Sequence, residues 1–137
     1  MTVLIVESSL LISGRMRNLL LESAHARAIY QSVSHKKAEL LFEEVKPQVV
    51  LLDMNIPGNT TIELLKKIKT TDDKTAVIAL VNCEDKQKQL KCTAEGADFI
   101  LDKYHEFEKI PGIIDAIVSE RNLKPSNEKP KHYSELA

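Results

Sequence analysis

Apolar and mixed segments take turns along this chain. Val3-Leu4-Ile5-Val6, Val49-Val50-Leu51-Leu52 and Ala76-Val77-Ile78-Ala79-Leu80-Val81 are unbroken apolar runs rich in β-branched residues. Such runs predict strands buried on both faces, the kind found in parallel sheets. Ala28–Val33 is a weaker strand candidate, and Asp98–Leu101 is a fifth. Between them the apolar residues recur at helical spacing. Ile12, Met16, Leu19 and Leu20 predict a helix from about Ser9 to Ser23, and Ala38, Leu41, Phe42 and Val45 predict a second. Lys46-Pro47 stops the second, because a residue before proline avoids helical dihedrals.

Thr60-Thr61-Ile62-Glu63 has capping-box spacing, with Thr60 as N-cap, and opens a third helix whose expected buried face is Ile62, Leu65 and Ile68. A fourth, mostly polar helix runs from roughly Asp85 to Glu95 on a thin stripe of Leu90 and Ala94, with Gly96 as its stop. The fifth carries Ile110, Ile113, Ile114, Ile117 and Val118, and starts near Ile110 because Pro111 fits only in a first turn. These elements define one domain over residues 1–122. The polar, proline-bearing residues 123–137 are expected to be a disordered tail or linker.

Five strands alternating with five helices imply an α/β architecture with a parallel sheet, helices on both faces and right-handed crossovers. The loops after strands one, three, four and five then open on one edge, which gathers Glu7, Ser8, Asp53, Asn55, Val81, Asn82 and Lys103. Asp53 closes a buried strand where open α/β sheets place their ligands, and Pro57-Gly58 turns the chain just after it.

Composition narrows the partners. Nineteen basic and twenty acidic residues give a formal charge of −1 over 137 residues, which supplies no pull toward nucleic acid or an anionic membrane. The local clusters Lys36-Lys37, Lys66-Lys67-Lys69 and Lys86-Lys88-Lys91 lie on predicted helices and read as solvated faces. Cys83 and Cys92 form no CxxC pair and have no histidine at zinc spacing. Cys83 is expected to be a small, partly buried thiol and Cys92 an ordinary helix residue. His25, His35, His105 and His132 are expected to be exposed polar residues rather than metal ligands, although His105 is near enough to Lys103 to approach the site mouth. Met1-Thr2-Val3-Leu4-Ile5-Val6 does not read as a signal peptide, so none is expected, and the apolar runs fall short of the ~20 residues that span a bilayer. A reduced, cytoplasmic protein is expected.

Paired carboxylates bind Mg²⁺ through hard oxygens, and a nearby ammonium neutralises a phosphoryl group. With these residues in place the chain resembles the receiver domain of bacterial two-component response regulators over about residues 2–121. The resemblance is carried by Val3-Leu4-Ile5-Val6-Glu7, by Val49 through Gly58, by Glu63-Leu64-Leu65-Lys66-Lys67-Ile68, by Gly96-Ala97-Asp98 and by Leu101-Asp102-Lys103. It implies a three-layer, doubly wound (βα)5 flavodoxin-like fold with strand order 2-1-3-4-5. It also implies Asp53 as phosphoacceptor and Lys103 as the lysine that contacts the phosphoryl oxygens. Glu7, Asp53 and the backbone carbonyl of Asn55 match the positions that hold Mg²⁺.

Four departures fall on the activation machinery. Ser8 stands at the second acidic position, so it coordinates weakly or through water, and Mg²⁺ affinity is expected to be low. Val81 replaces the Thr or Ser that bonds the phosphoryl group, a loss of about 1.5–3 kcal/mol; Asn82 is the substitute donor if its side chain turns inward. Ile100 fills the place of the aromatic switch residue. Tyr104 replaces a cis proline, so its peptide is expected to be trans. Thr61, where the family often has glycine, is a smaller departure.

The expected function is phosphorelay signalling: a phosphoryl group on Asp53 from a histidine kinase or phosphotransfer protein, with output through protein contact. The expected surface is the face of helix four, strand five and helix five, which would also serve a homodimer. The alternative is a phosphorylation-independent pseudo-receiver. A haloacid-dehalogenase-like phosphatase is disfavoured, because its nucleophile follows the first strand and is paired with a second Asp where Asn55 stands. The chain is therefore not expected to be an enzyme beyond self-phosphorylation from a phosphodonor and auto-dephosphorylation. If it is complete, it acts as a single-domain regulator; if residues 123–137 begin a linker, the output lies elsewhere.

Overall fold

The computed structural model describes residues 1–56 and 60–121 and the backbone of 131–134. Its elements run β1 (Thr2–Val6), α1 (Leu10–Leu20), β2 (Ala28–Ser32), α2 (His35–Val45), β3 (Val49–Asp53), α3 (Thr60–Thr71), β4 (Ala76–Val81), α4 (Lys86–Ala94), β5 (Phe99–Asp102), α5 (Ile110–Arg121) and β6 (Lys131–Ser134). All strand pairs are parallel, in the order β5-β4-β3-β1-β2-β6. The expected order 2-1-3-4-5 is present, with one strand added beside β2.

Successive residues of a strand face opposite sides, and the unbroken apolar runs therefore feed two cores. Val3, Ile5, Val49, Leu51, Ile78 and Leu80 pack with Met16 and Leu20 of α1 and Ile110, Ile114 and Ile117 of α5. Leu4, Val6, Val50, Leu52, Val77 and Ala79 pack on the other side with Phe42 of α2, Leu64, Leu65 and Ile68 of α3 and Cys92 of α4. Each large side chain so buried contributes about 1.5–3 kcal/mol.

Helix boundaries obey local chemistry. Ser9, Ser34 and Asp85 cap α1, α2 and α4 by accepting from Ile12 N, Lys37 N and Lys88 N. Lys46 ends α2 at φ 48°, outside the right-handed region that Pro47 disfavours. The capping box expected at Thr60 is not formed: Thr60 is already helical, and its hydroxyl meets His35 Nδ1. The buried stripe of α3 is Thr61, Leu64, Leu65 and Ile68, with Ile62 only half-buried. Polar Thr61 hid that phase; its hydroxyl reaches Met54 O at 3.5 Å. The stripe of α4 also differs from expectation. Leu90 is 72 % exposed, Ala94 is exposed, and Cys92 alone is buried.

Gly96 takes φ +98°, a conformation that Cβ-bearing residues avoid. It leads into Asp98, whose Oδ2 accepts from Val77 N at 2.8 Å and Lys69 Nζ at 2.9 Å, pinning β5 and α3 to β4. A Cβ at residue 96 would stand 3.4 Å from Lys69 Cγ. Gly96→Ala is expected to cost about 1–2 kcal/mol of stability in denaturant titration. An unchanged midpoint would show that the turn relaxes freely.

One strand lies beyond the five expected ones. Residues 131–134 pair with β2, in register Ala28↔Lys131 to Gln31↔Ser134. The unpaired main-chain groups of an edge strand are a template for such pairing, and the bonds use main chain, so no apolar pattern announces them. The turn expected at Pro57-Gly58 lies outside the described residues, as do residues 122–130 and 135–137. Among the described residues no helix is long and apolar enough to cross a membrane.

Candidate functional site

Four strand ends build the rim. Val6 pairs with Leu52, so Glu7 and Asp53 leave neighbouring strands side by side. Backbone bonds continue past the strands and fix the first residue of each loop: Glu7 N to Ser32 O at 3.0 Å, Met54 N to Leu80 O at 2.9 Å, and Lys103 N to Val81 O at 2.8 Å. Lys103 is delivered across β4 to the two acids. Its Nζ lies 3.0 Å from Asp53 Oδ2 and 3.2 Å from Glu7 Oε1. Glu7 and Asp53 are fully buried, and Lys103 is 6 % exposed.

Two carboxylates share one ammonium here, and the charge does not balance. Burial pushes the Glu7 carboxyl up to about 7, against the Ser9 N–H that its Oε1 accepts and with added repulsion from Asp53. Burial pulls Lys103 down, but Asp53 and Glu7 outweigh it and hold the ammonium above its usual value. Glu7 Oε2 is buried without a hydrogen-bond partner among the described residues. A buried, unpartnered carboxylate oxygen beside a second carboxylate is suited to a hard dication, so the residues present fit Mg²⁺. Asn55 N donates to Asp53 Oδ1 at 3.0 Å, which brings the backbone of residue 55 to the same carboxylate.

The departures from the family pattern occupy distinct environments. Ser8 is exposed beside Glu7. Val81 is buried, and its side chain belongs to the core on the α3–α4 side. Asn82 Oδ1 accepts from Glu84 N at 3.0 Å, so this oxygen is engaged within its own loop. Ile100 is half-buried over a shallow groove with Lys86, Gln89, Leu90 and Thr93. Tyr104 is 61 % exposed with its ring centroid 5.9 Å from Lys103 Nζ, and no cis peptide occurs among the described residues.

Three neighbours of the site were not anticipated. Lys88 of α4 reaches over the mouth and donates to Met54 O at 2.9 Å. His35 is half-buried, not exposed; burial lowers its basicity while the negative charge of Asp53 opposes that shift. Asp102 is a buried acceptor whose carboxylate takes the N–H groups of Cys83 (3.0 Å), Tyr104 (2.7 Å) and His105 (3.0 Å). The Cys83 thiol first, and then the Tyr104 and His105 N–H groups, hold its carboxyl well below the usual range. Asp102 is marked in the sequence only by its place next to Lys103, and Lys88 and His35 carry no such signal. Cys83, expected to be partly buried, is exposed, while His25, expected to be exposed, is half-buried.

A parallel sheet that brings two acids and a lysine to one rim has the donors to hold a cation beside a phosphate, and comparison with known proteins identifies the family. Residues 3–115 match the model of the response regulator receiver domain, and the chain belongs to that family. It is therefore a signalling module of two-component systems. Among curated relatives, the virulence transcriptional regulatory protein PhoP of Salmonella typhimurium is 22 % identical over 118 residues, covering 86 % of this chain and 52 % of PhoP. The chain thus spans about half the length of the curated relatives it matches. Among solved structures, the receiver domain of a DNA-binding response regulator from Colwellia psychrerythraea superposes with a TM-score of 0.77 at 24 % identity, covering 86 % of this chain and 98 % of that one. The receiver domain of Francisella response regulator 1452 gives 0.76 at 18 %, covering 88 % and 98 %. At these identities the superpositions establish the fold.

Proposed function

We propose that this receiver accepts a phosphoryl group on Asp53, with weakly held Mg²⁺, and signals by protein contact. The supporting observation is the buried trio in which Lys103 bridges Asp53 and Glu7. An Asp53 carboxylate oxygen attacks the phosphorus of a phosphohistidine on a kinase or phosphotransfer protein. The P–O bond forms as the P–N bond breaks, and the leaving imidazole takes up a proton. Lys103 moves from the carboxylate to an oxygen of the phosphoryl group, where it offsets the charge of the transition state. Mg²⁺, held by Glu7, Asp53, the Asn55 carbonyl and, weakly or through water, Ser8, would supply further neutralisation. Asn82 serves as a second phosphoryl donor only if its amide nitrogen turns toward the acyl phosphate. With Val81 and Ile100 apolar, the usual hydroxyl-to-aromatic switch is absent, and the output is atypical.

The α4–β5–α5 face is the proposed surface for a downstream target and for a homodimer, in a cytoplasmic setting, without direct contact to nucleic acid or membrane. A pseudo-receiver remains the second reading, favoured by the exposed Ser8, the buried Val81 and the engaged Asn82 oxygen. Acetyl phosphate with millimolar Mg²⁺ separates the two. Intact-mass measurement is expected to find one added phosphoryl group on the native chain and none on Asp53→Asn. A native chain inert to acetyl phosphate and to beryllofluoride would sink phosphotransfer and leave the interaction module.

A further inference from the structure

We propose that Cys83, Asp102 and His105 form a second cation site, selective for zinc-class transition ions, where the loop after β4 meets the loop after β5. The three are separated in sequence but converge in space: one sulfur, one carboxylate oxygen and one imidazole nitrogen all lie within 4.8 Å of one another. Tetrahedral Zn²⁺ with bonds near 2.3 Å to sulfur and 2.0–2.1 Å to nitrogen and oxygen sets ligand separations of about 3.3–3.6 Å. The widest gap to close is therefore at most about 1.2–1.5 Å, and the exposed partners close it by side-chain rotation. Cys83 is exposed, and the His105 side chain is 76 % exposed.

Asp102 need not move. Three backbone N–H groups hold its carboxylate, and His105 Nδ1 is already 3.0 Å from Oδ1. The carboxylate is ionised without the metal, as a ligand must be. The Cys83 thiol lies against the same carboxylate, which disfavours the thiolate. A dication reverses that preference: the S–H proton leaves to solvent, sulfur and a neutral imidazole nitrogen coordinate, and the net release is one proton from the thiol. Sulfur and nitrogen donors select Zn²⁺ or Co²⁺ over Mg²⁺, which prefers the all-oxygen rim at Glu7 and Asp53. Three protein ligands on an exposed rim leave the fourth position to water.

The consequence concerns signalling. Cys83 comes directly after Val81 and Asn82, while Asp102 and His105 flank Lys103. An ion at this site ties together the two loops that carry Lys103 and the positions beside the phosphoacceptor, on the edge of the α4–β5 surface.

Titration of the reduced, chelator-stripped full chain with Co²⁺ tests this, since thiolate coordination gives a charge-transfer absorption. One saturable equivalent is expected, displaced by Zn²⁺. At least tenfold weaker binding is expected in both Cys83→Ser and His105→Ala, which alter exposed side chains; circular dichroism checks their fold. Cys92→Ser and Asp53→Asn are expected to keep the band. No band in the native chain overturns the proposal. So does a band kept in Cys83→Ser, or one lost only there and kept in His105→Ala, which is a lone thiolate. Loss in Asp53→Asn would place the ion at the acidic rim and also overturn it.

Discussion

Lys103→Met is expected to destabilise the metal-free protein by about 3–5 kcal/mol at mildly alkaline pH, the cost of leaving buried carboxylates without their cation. The side chain of Met nearly fills the volume, so packing contributes little; the effect is electrostatic. Asp53 and Glu7 lose the only ammonium among the described residues within hydrogen-bonding distance of both. The loss has a pH signature already present in the native chain. Glu7 titrates at about 7 in the fold against an ordinary 4.5. The folded state therefore binds this proton more tightly than the unfolded one. Its stabilising contribution is fully present below about 4.5 and is lost as pH rises through about 7. Urea titrations of chelator-treated protein should show that decline, Glu7→Gln should flatten it, and the Lys103→Met deficit should shrink in acid, where Glu7 is neutral. Millimolar Mg²⁺ should recover part of the deficit by replacing one cation with another. Equal stability of the native chain and Lys103→Met at alkaline pH would show that the three groups are not coupled.

The fold was legible because buried parallel strands write themselves as runs. Val49–Leu52 and Ala76–Val81 have no polar interruption, since both faces of each strand are covered. The rim was legible for a related reason: a charged residue directly after such a run marks the strand's end. Asp53 and Glu7 each stand at one, Lys103 stands one residue past Asp102 at another, and parallel topology brings the three ends to one edge. What escaped depends on geometry that no period encodes. Thr61 is a polar residue on a buried stripe, and a stripe drawn through apolar residues alone starts at Ile62 instead. Strand β6 is held by main-chain pairing, which leaves no trace in side-chain pattern. Cys83 and His105 lack zinc spacing along the chain, yet Asp102 gathers both because β4 and β5 are neighbours. The carboxamide of Asn82 could turn inward or outward by residue type alone; the N–H of Glu84 decides it for the oxygen.

Ser8→Asp is expected to tighten Mg²⁺ binding by about ten- to a hundredfold, or roughly 1.4–2.8 kcal/mol. Glu7 and Asp53 already aim two carboxylates at one place, and Glu7 Oε2 has no hydrogen-bond partner among the described residues. A third carboxylate next in sequence would add an attraction of roughly 2–8 kcal/mol to a dication about 4 Å away, between the water and near-surface limits. Stripping water from Mg²⁺ and ordering an exposed side chain remove much of that. The same charge is unwelcome without the ion: metal-free Ser8→Asp should be less stable than the native chain by about 1 kcal/mol, through repulsion from Glu7 and Asp53. The two effects have opposite sign, so a single denaturation series with and without Mg²⁺ reads both. If Asp53 accepts phosphate, its labelling by acetyl phosphate should also saturate at lower Mg²⁺ in this variant. Unchanged Mg²⁺ affinity would mean that the loop after β1 keeps residue 8 out of the cation's reach. Weak Mg²⁺ binding by the native chain, where titration finds it, would then come from the direction in which that loop leaves the sheet, not from the missing acid.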